Sequence, residues 1–192
     1  MVRSGRNYLI AFIMGTILIA CNSDTAERVA LDNMQHHSKQ CHRDKVLCRH
    51  CAGVALDRGD STLSRLLFAS CHALACIELQ YGEALRVYGR EQILSPKIET
   101  TKEELEIILN YNNTLSGPIT CEDFTYNNRY LERIAARHIS TLGQYFRYAQ
   151  LLKCGFSTHY FVCPKCGYMC DSLALPTICP QCSSPKSRFR RY

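Results

Sequence analysis

Phe161-Val162-Cys163-Pro164-Lys165-Cys166-Gly167-Tyr168, followed by Cys179-Pro180-Gln181-Cys182, is the stretch on which the reading of this chain turns. Each Cys-x-x-Cys places two thiolates on one side of an ion, and two such knuckles at this separation give a closed tetrahedral site of four sulfurs. Cys163, Cys166, Cys179 and Cys182 are therefore the predicted metal ligands. Four sulfurs suit zinc or iron equally well in geometry: zinc would make the segment a structural ribbon, iron a one-electron carrier. The segment 156–192 has few large apolar residues beyond Tyr160, Phe161, Tyr168 and Phe189, so it is expected to draw its folding energy from the ion and to keep a core of its own. Cys170 lies outside both knuckles and has no assigned role.

Working back from the knuckles, the chain reads as helices. From Ala26 to Leu56, Leu31, Met34, Ser38, Cys41, Lys45, Cys48, Ala52 and Ala55 recur at alternating steps of three and four. Asp57-Arg58-Gly59-Asp60 is a turn, with Gly59 suited to a helix end and Asp60 or Ser61 to a cap. The next helix, from about Thr62 to Tyr88, turns Leu63, Leu66, Leu67, Ser70, Leu74, Ile77, Tyr81 and Leu85 inward. So short a turn between long amphipathic helices predicts an antiparallel hairpin. Arg90 to Thr100, broken by Pro96, is long enough to cross over it. A third helix starts at Thr101 with an acidic first turn, carries Leu105, Ile108 and Leu109, and ends early in Asn110–Pro118. A last helix runs from about Glu122 to Leu152, with Tyr130, Ile134, Arg137, Thr141, Tyr145, Tyr148 and Leu152 at helical spacing. The outline is mainly α: a four-helix bundle over 30–155, then a small Cys-rich β module over 156–192.

The knuckles, with Pro176, Pro185-Lys186 and Phe189, resemble the rubredoxin-like tail of rubrerythrins. That resemblance implies a ferritin-like four-helix bundle ahead of a zinc-ribbon-type module, one iron ion on the four cysteines, and electron transfer to or from a redox partner protein. It also implies a second, di-iron centre in the bundle, which reduces peroxide and is held by glutamates and Glu-x-x-His motifs. This chain contains no Glu-x-x-His. Aligned through the Gly59 turn, Cys41 stands where the first helix would offer a glutamate, and Leu74 and Ile77 where the second would offer Glu and His. The third helix offers Asn110, Tyr111 and Asn112; the fourth offers His138 with Thr141 or Tyr145 with Tyr148. No di-iron centre and no catalytic residue are expected, and the chain reads as a carrier and not an enzyme. A homodimer is compatible with this reading.

In place of carboxylates the first hairpin is rich in soft ligands. His37, Cys41, Cys48 and Cys51 share much of one face, and His72 and Cys76 lie one turn apart on the next helix. These six are a candidate second metal site for copper(I) or zinc, and four-helix copper-storage proteins also line a bundle with cysteine. The alternatives are disulfides or buried cysteine acting as a small apolar filler. Cys71, Cys121 and Cys154 complete the cysteines outside the knuckles, and His36, His42 and His50 are expected to face solvent.

The N-terminus stands apart from this fold. Arg3 and Arg6 precede an apolar run from Tyr8 to Ala20. Leu18-Ile19-Ala20-Cys21 resembles the lipobox of bacterial lipoproteins, which implies a signal peptide over 1–20, lipid on Cys21 and a polar tether within 21–29. The expected location is the bacterial cell envelope, with the membrane engaged through the lipid anchor. An exported protein with 13 Cys would meet oxidising conditions, where thiols pair or bind metal. Net charge is only +6, and the one dense basic cluster, Lys186, Arg188, Arg190 and Arg191, lacks the interleaved stripe that nucleic-acid binding needs, so no nucleic-acid partner is expected.

Overall fold

The computed structural model describes residues 5–90, 129–156 and 158–192, with side chains described for 28–90, 133–156 and 158–192. The expected crossover, the helix from Thr101, Cys121 and the start of the last helix lie outside the described residues, as does the side chain of Cys21.

Helix α1 spans Gly5–Asp57 and α2 spans Ser61–Val87. No proline interrupts α1, which runs unbroken through Asn22–Thr25, where a tether was expected. The turn closes as its sequence requires. Gly59 takes φ +82, its N–H reaches Leu56 O at 2.9 Å, and Asp60 N–H returns to Ala55 O at 2.9 Å. Asp60 Oδ1 then accepts from Leu63 N–H at 2.9 Å and caps α2. The hairpin is antiparallel along its length: Ser64 Oγ donates to Ala52 O near the turn, Cys41 Sγ to Leu74 O at mid-length, and Arg90 pairs with Asp32 at the far end.

Every α2 residue expected to face inward is buried, and Ala69, Ala73 and Cys76 are buried as well. α2 is thus covered on more than one side. It is long and apolar enough to cross a membrane, but those apolar residues form the protein's own core. Helix α3, Arg129–Lys153, packs on α2 through Ile134, Ala135, Leu142, Tyr145, Tyr148 and Ala149, and ends at Gly155, φ +79.

The tail is a three-stranded antiparallel sheet in the order β2-β1-β3, with β1 Tyr160–Val162, β2 Met169–Asp171 and β3 Arg190–Arg191. Tyr160 pairs with Asp171, Phe161 with Cys170 and Val162 with Met169; on the other edge Phe161 faces Arg191 and Val162 faces Arg190. Tyr160 and Tyr192 exchange backbone hydrogen bonds at 3.1 and 2.8 Å.

The tail was expected to have a separate core, and here the structure corrects the sequence. Tyr160, Val162 and Met169 belong to the same buried cluster as the helices, and the Tyr160 ring lies 5.2 Å from that of Tyr148. Alternation along β1 sends Tyr160 and Val162 to one face, and that face is applied to α2 and α3. Only the knuckle residues form a cluster of their own, Cys163, Cys166 and Cys179 with Tyr168, Cys182 and Phe189 packed against them.

Candidate metal centre

The two knuckles converge. The Sγ atoms of Cys163, Cys166, Cys179 and Cys182 all lie within 4.8 Å of one another, with Cys163 to Cys182 at 3.4 Å and Cys166 to Cys179 at 3.5 Å. A tetrahedron with bonds of about 2.3 Å has edges of about 3.8 Å, so the sulfur cage fits a zinc- or iron-sized ion. Among the described residues this is the one group of three or more ligand-type side chains that close together.

Each knuckle is shaped by its own backbone. Cys163 N–H bonds Tyr168 O and Gly167 N–H bonds Cys163 O, both at 2.9 Å, with Gly167 at φ +79. In the second knuckle Ser183 N–H bonds Cys179 O at 2.9 Å and Cys179 N–H bonds Ser184 O at 2.8 Å, with Ser183 at φ 58. These turns aim N–H groups at sulfur: Tyr168 at Cys166, Gln181 and Cys182 at Cys179, and Ser184 at Cys182. Ser184 Oγ is also 3.3 Å from Cys182 Sγ, and its hydroxyl donates once that sulfur is a thiolate. Such donors stabilise negative sulfur and set the potential of a bound redox metal.

Electrostatics divides the four thiols. Burial raises Cys166 far above the ordinary thiol range and raises Cys179 too. At Cys182 burial also pushes upward, but hydrogen bonds from the Ser184 hydroxyl and backbone, together with those to Cys163 and Cys166, outweigh it and bring the thiol down to about 6. One sulfur is thus ready as a thiolate near neutral pH, while buried partners such as Cys166 and Cys179 need a cation to release their protons.

The first knuckle sits directly on α2. A Cβ at Gly167 would stand 2.6 Å from Ala73 O and 3.2 Å from Ile77 Cγ1, so glycine is required for approach as well as for φ. Cys76 Sγ donates to Pro164 O at 3.3 Å, inside the knuckle. Ser70 Oγ is 3.9 Å from Met169 Sδ, and the His72 ring bonds the Tyr192 hydroxyl. From α3, Arg137 bonds Gln80 and reaches Gln181 O at 3.4 Å.

The six residues proposed as a second, soft-ligand site are divided by the fold. His72 and Cys76 face the tail, while Cys41, Cys48 and Cys51 are fully buried in the bundle core and His37 is half-buried beside it. Burial raises Cys41 and Cys48 well above the thiol range and Cys76 to about 11, as for apolar filler. No disulfide joins any of the cysteines whose side chains are described. Cys170 is buried on β2, outside the sulfur cage. Of the histidines assigned to solvent, His36 and His50 are exposed, but His42 Nδ1 lies 2.6 Å from Glu78 Oε1, with Lys45 on the other carboxylate oxygen. The sequence reading also passed over Asp44, fully buried on α1 with Oδ2 3.6 Å from His138 Nε2. Its signal was position: three residues after Cys41 and four before Cys48, it lies on the inward stripe.

Residues 161–190 match the family model for the rubrerythrin rubredoxin-like domain. No curated protein sequence matches the chain. Among solved structures the fold is similar to that of nigerythrin. The fully reduced, all-ferrous state has a TM-score of 0.61 at 15% identity, and the partially reduced state 0.59 at 16%; each alignment covers 85% of this chain and 86% of the other. The chain thus carries a rubredoxin-like, metal-binding segment of the rubrerythrin type at the end of a nigerythrin-like helical fold.

Proposed function

We propose that this protein is a lipid-anchored one-electron carrier of the bacterial cell envelope, working through a single iron on Cys163, Cys166, Cys179 and Cys182 and lacking di-iron peroxidase activity. The observation that carries the proposal is the sulfur cage with its convergent N–H donors. An iron ion there would supply a ferrous/ferric couple. The chain's contribution is to hold four sulfurs in fixed positions, offset their charge with backbone dipoles, and shield Cys163, Cys166 and Cys179 while leaving Cys182 partly open as a route to a redox partner. The absence of peroxidase chemistry is supported by Cys41, Leu74 and Ile77, all fully buried where carboxylate or histidine ligands would be needed. The lipid anchor rests on Leu18–Cys21.

Protein purified without oxygen from its native host and then oxidised should show the visible thiolate-to-iron absorption. The same preparation should not turn over peroxide with a reduced donor. Colourless protein containing zinc in the four-cysteine site would instead make the tail a structural ribbon. Peroxide turnover that survives removal of the tail metal would refute the reading of the bundle.

A further inference from the structure

Where α3 meets the second knuckle, an open cleft of about 310 Å³ is lined by Arg133, Ala136, Arg137 and Gln181. The three α3 residues share one face, at steps of three and four. Arg133 and Ala136 are exposed and Arg137 is half-buried. Among the described residues neither arginine is paired with a carboxylate. Like charges four residues apart on a helix repel, so an anion seated between these two relieves a cost that the empty cleft carries. Arg137 is held ready for one. It donates from Nη1 to Gln80 Oε1 and from Nη2 to Gln181 O at 3.4 Å. Those bonds use two of its five N–H groups, so the fork is fixed in direction and only partly filled.

The cleft adjoins the cysteine centre. The Gln181 carbonyl that accepts from Arg137 belongs to the same peptide group as the Cys182 N–H, which is aimed at the Cys179 sulfur. One peptide group thus lies between the cleft and a ligand, and Cys182 is the ligand left partly open. The same knuckle exposes Pro180 and, at 59%, Ile178, apolar ground of the kind on which protein interfaces centre. The surrounding charge has one sign. From residue 158 onward the basic side chains, Lys165, Lys186, Arg188, Arg190 and Arg191, are all exposed. The single acidic one, Asp171, is buried and accepts the N–H groups of Leu173 and Ala174. Such a field draws in a negatively charged protein and disfavours a positive one.

We propose that this cleft is the docking point for an acidic partner protein, which seats a carboxylate between Arg133 and Arg137 beside Cys182. That the docked protein exchanges electrons rests on the one-electron reading above. An anionic lipid surface would answer the charge but not the position, since the cleft is concave and abuts the open ligand.

The test separates binding from electron transfer. Full-length protein with zinc in the cysteine centre, held in neutral detergent, is titrated by calorimetry with an acidic [2Fe–2S] ferredoxin and, in parallel, with a basic c-type cytochrome. The ferredoxin should bind at low ionic strength, more weakly as salt rises, and the cytochrome should not. Arg133→Glu, at an exposed position, should weaken ferredoxin binding about tenfold or more. Arg147→Glu makes the same charge change about 15 Å further along α3 and should alter it less than about threefold. Arg137→Lys keeps the charge but loses the fork, and should weaken binding while the metal content stays unchanged. With iron in the centre, Arg133→Glu should also slow electron transfer from reduced ferredoxin by a similar factor. Arginine-dependent binding without any transfer in the iron form would uphold the docking site and refute the carrier reading. Equal losses from Arg133→Glu and Arg147→Glu, preference for the cytochrome, or Arg133-dependent binding to phosphatidylglycerol vesicles in place of the ferredoxin would each overturn the proposal.

Discussion

Replacing Gly167 with alanine tests whether the knuckle really rests on α2. Two costs combine at this position. The φ of +79 penalises any Cβ by about 1–2 kcal/mol. The new methyl would also stand 2.6 Å from Ala73 O, a backbone atom in the middle of a helix that cannot step aside, and 3.2 Å from Ile77 Cγ1. Overpacking of this kind costs about 1–3 kcal/mol. Gly155 supplies a matched control, since it has the same φ of +79 and nothing within 4 Å of its would-be Cβ. Gly155→Ala should therefore lose about 1–2 kcal/mol and Gly167→Ala about 2–5 kcal/mol. For a chain of this size the difference between them, about 1–3 kcal/mol, is roughly 2–12 °C in Tm. Thermal melts of the metal-loaded variants by circular dichroism give the numbers, and limited proteolysis locates the loosening at the tail. Equal losses from the two substitutions would refute the docking.

Cys166→Ser and Cys182→Ser should abolish metal binding in the tail, with a loss on the order of 10 kcal/mol of metal-linked folding energy, while Cys170→Ser should keep the tail metal; metal analysis checks all three. Because Tyr160, Val162 and Met169 are shared with the helices, loss of the tail ion should also lower the bundle's melting temperature, each residue contributing about 1.5–3 kcal/mol of burial. His37 is lowered from 6.5 to about 4, so the folded state binds fewer protons there than the unfolded chain. Its contribution to stability is complete above about pH 6.5, is lost as pH falls toward 4, and is flat below that. With a partly exposed ring the loss is about 1–2 kcal/mol after solvent screening, and His37→Gln should flatten this limb of an acid-unfolding profile. Cys21→Ser should release the protein from membranes or block its maturation, as read by fractionation and gel migration.

The knuckles were legible because the ligand chemistry is local: four cysteines at two fixed spacings describe a tetrahedron before any fold is known. The α1–α2 hairpin was legible for a similar reason, with Gly59, Asp60 and the stripe from Leu63 to Leu85 each specifying its own part. What the sequence hid was the second face of α2. Ala69, Ala73 and Cys76 read as background between larger residues, yet their small size lets Gly167 and Pro164 approach. Glycine after a Cys-x-x-Cys is already explained by its turn, so nothing local hints that it also clears a helix carbonyl. Asp44 was passed over because the inward stripe was drawn through its neighbour Lys45. Two adjacent polar residues cannot be separated by periodicity when one goes to the core and the other to Glu78.

The order of the pieces along the chain also sets an order of assembly. The α1–α2 hairpin joins segments next to one another and can form while translation proceeds. The tail cannot close that way: β1 lies between β2 and β3, and β3 is made after both knuckles. Until Cys179 and Cys182 are made, Cys163 and Cys166 are a half-cage open to any passing soft cation, and until Arg190 and Arg191 follow, the edge of β1 that will take them is unpaired. The complete cage therefore waits for the second knuckle. An ion that is captured is one available where the two knuckles first meet, so the compartment of folding bears on the cargo as firmly as the ligands do.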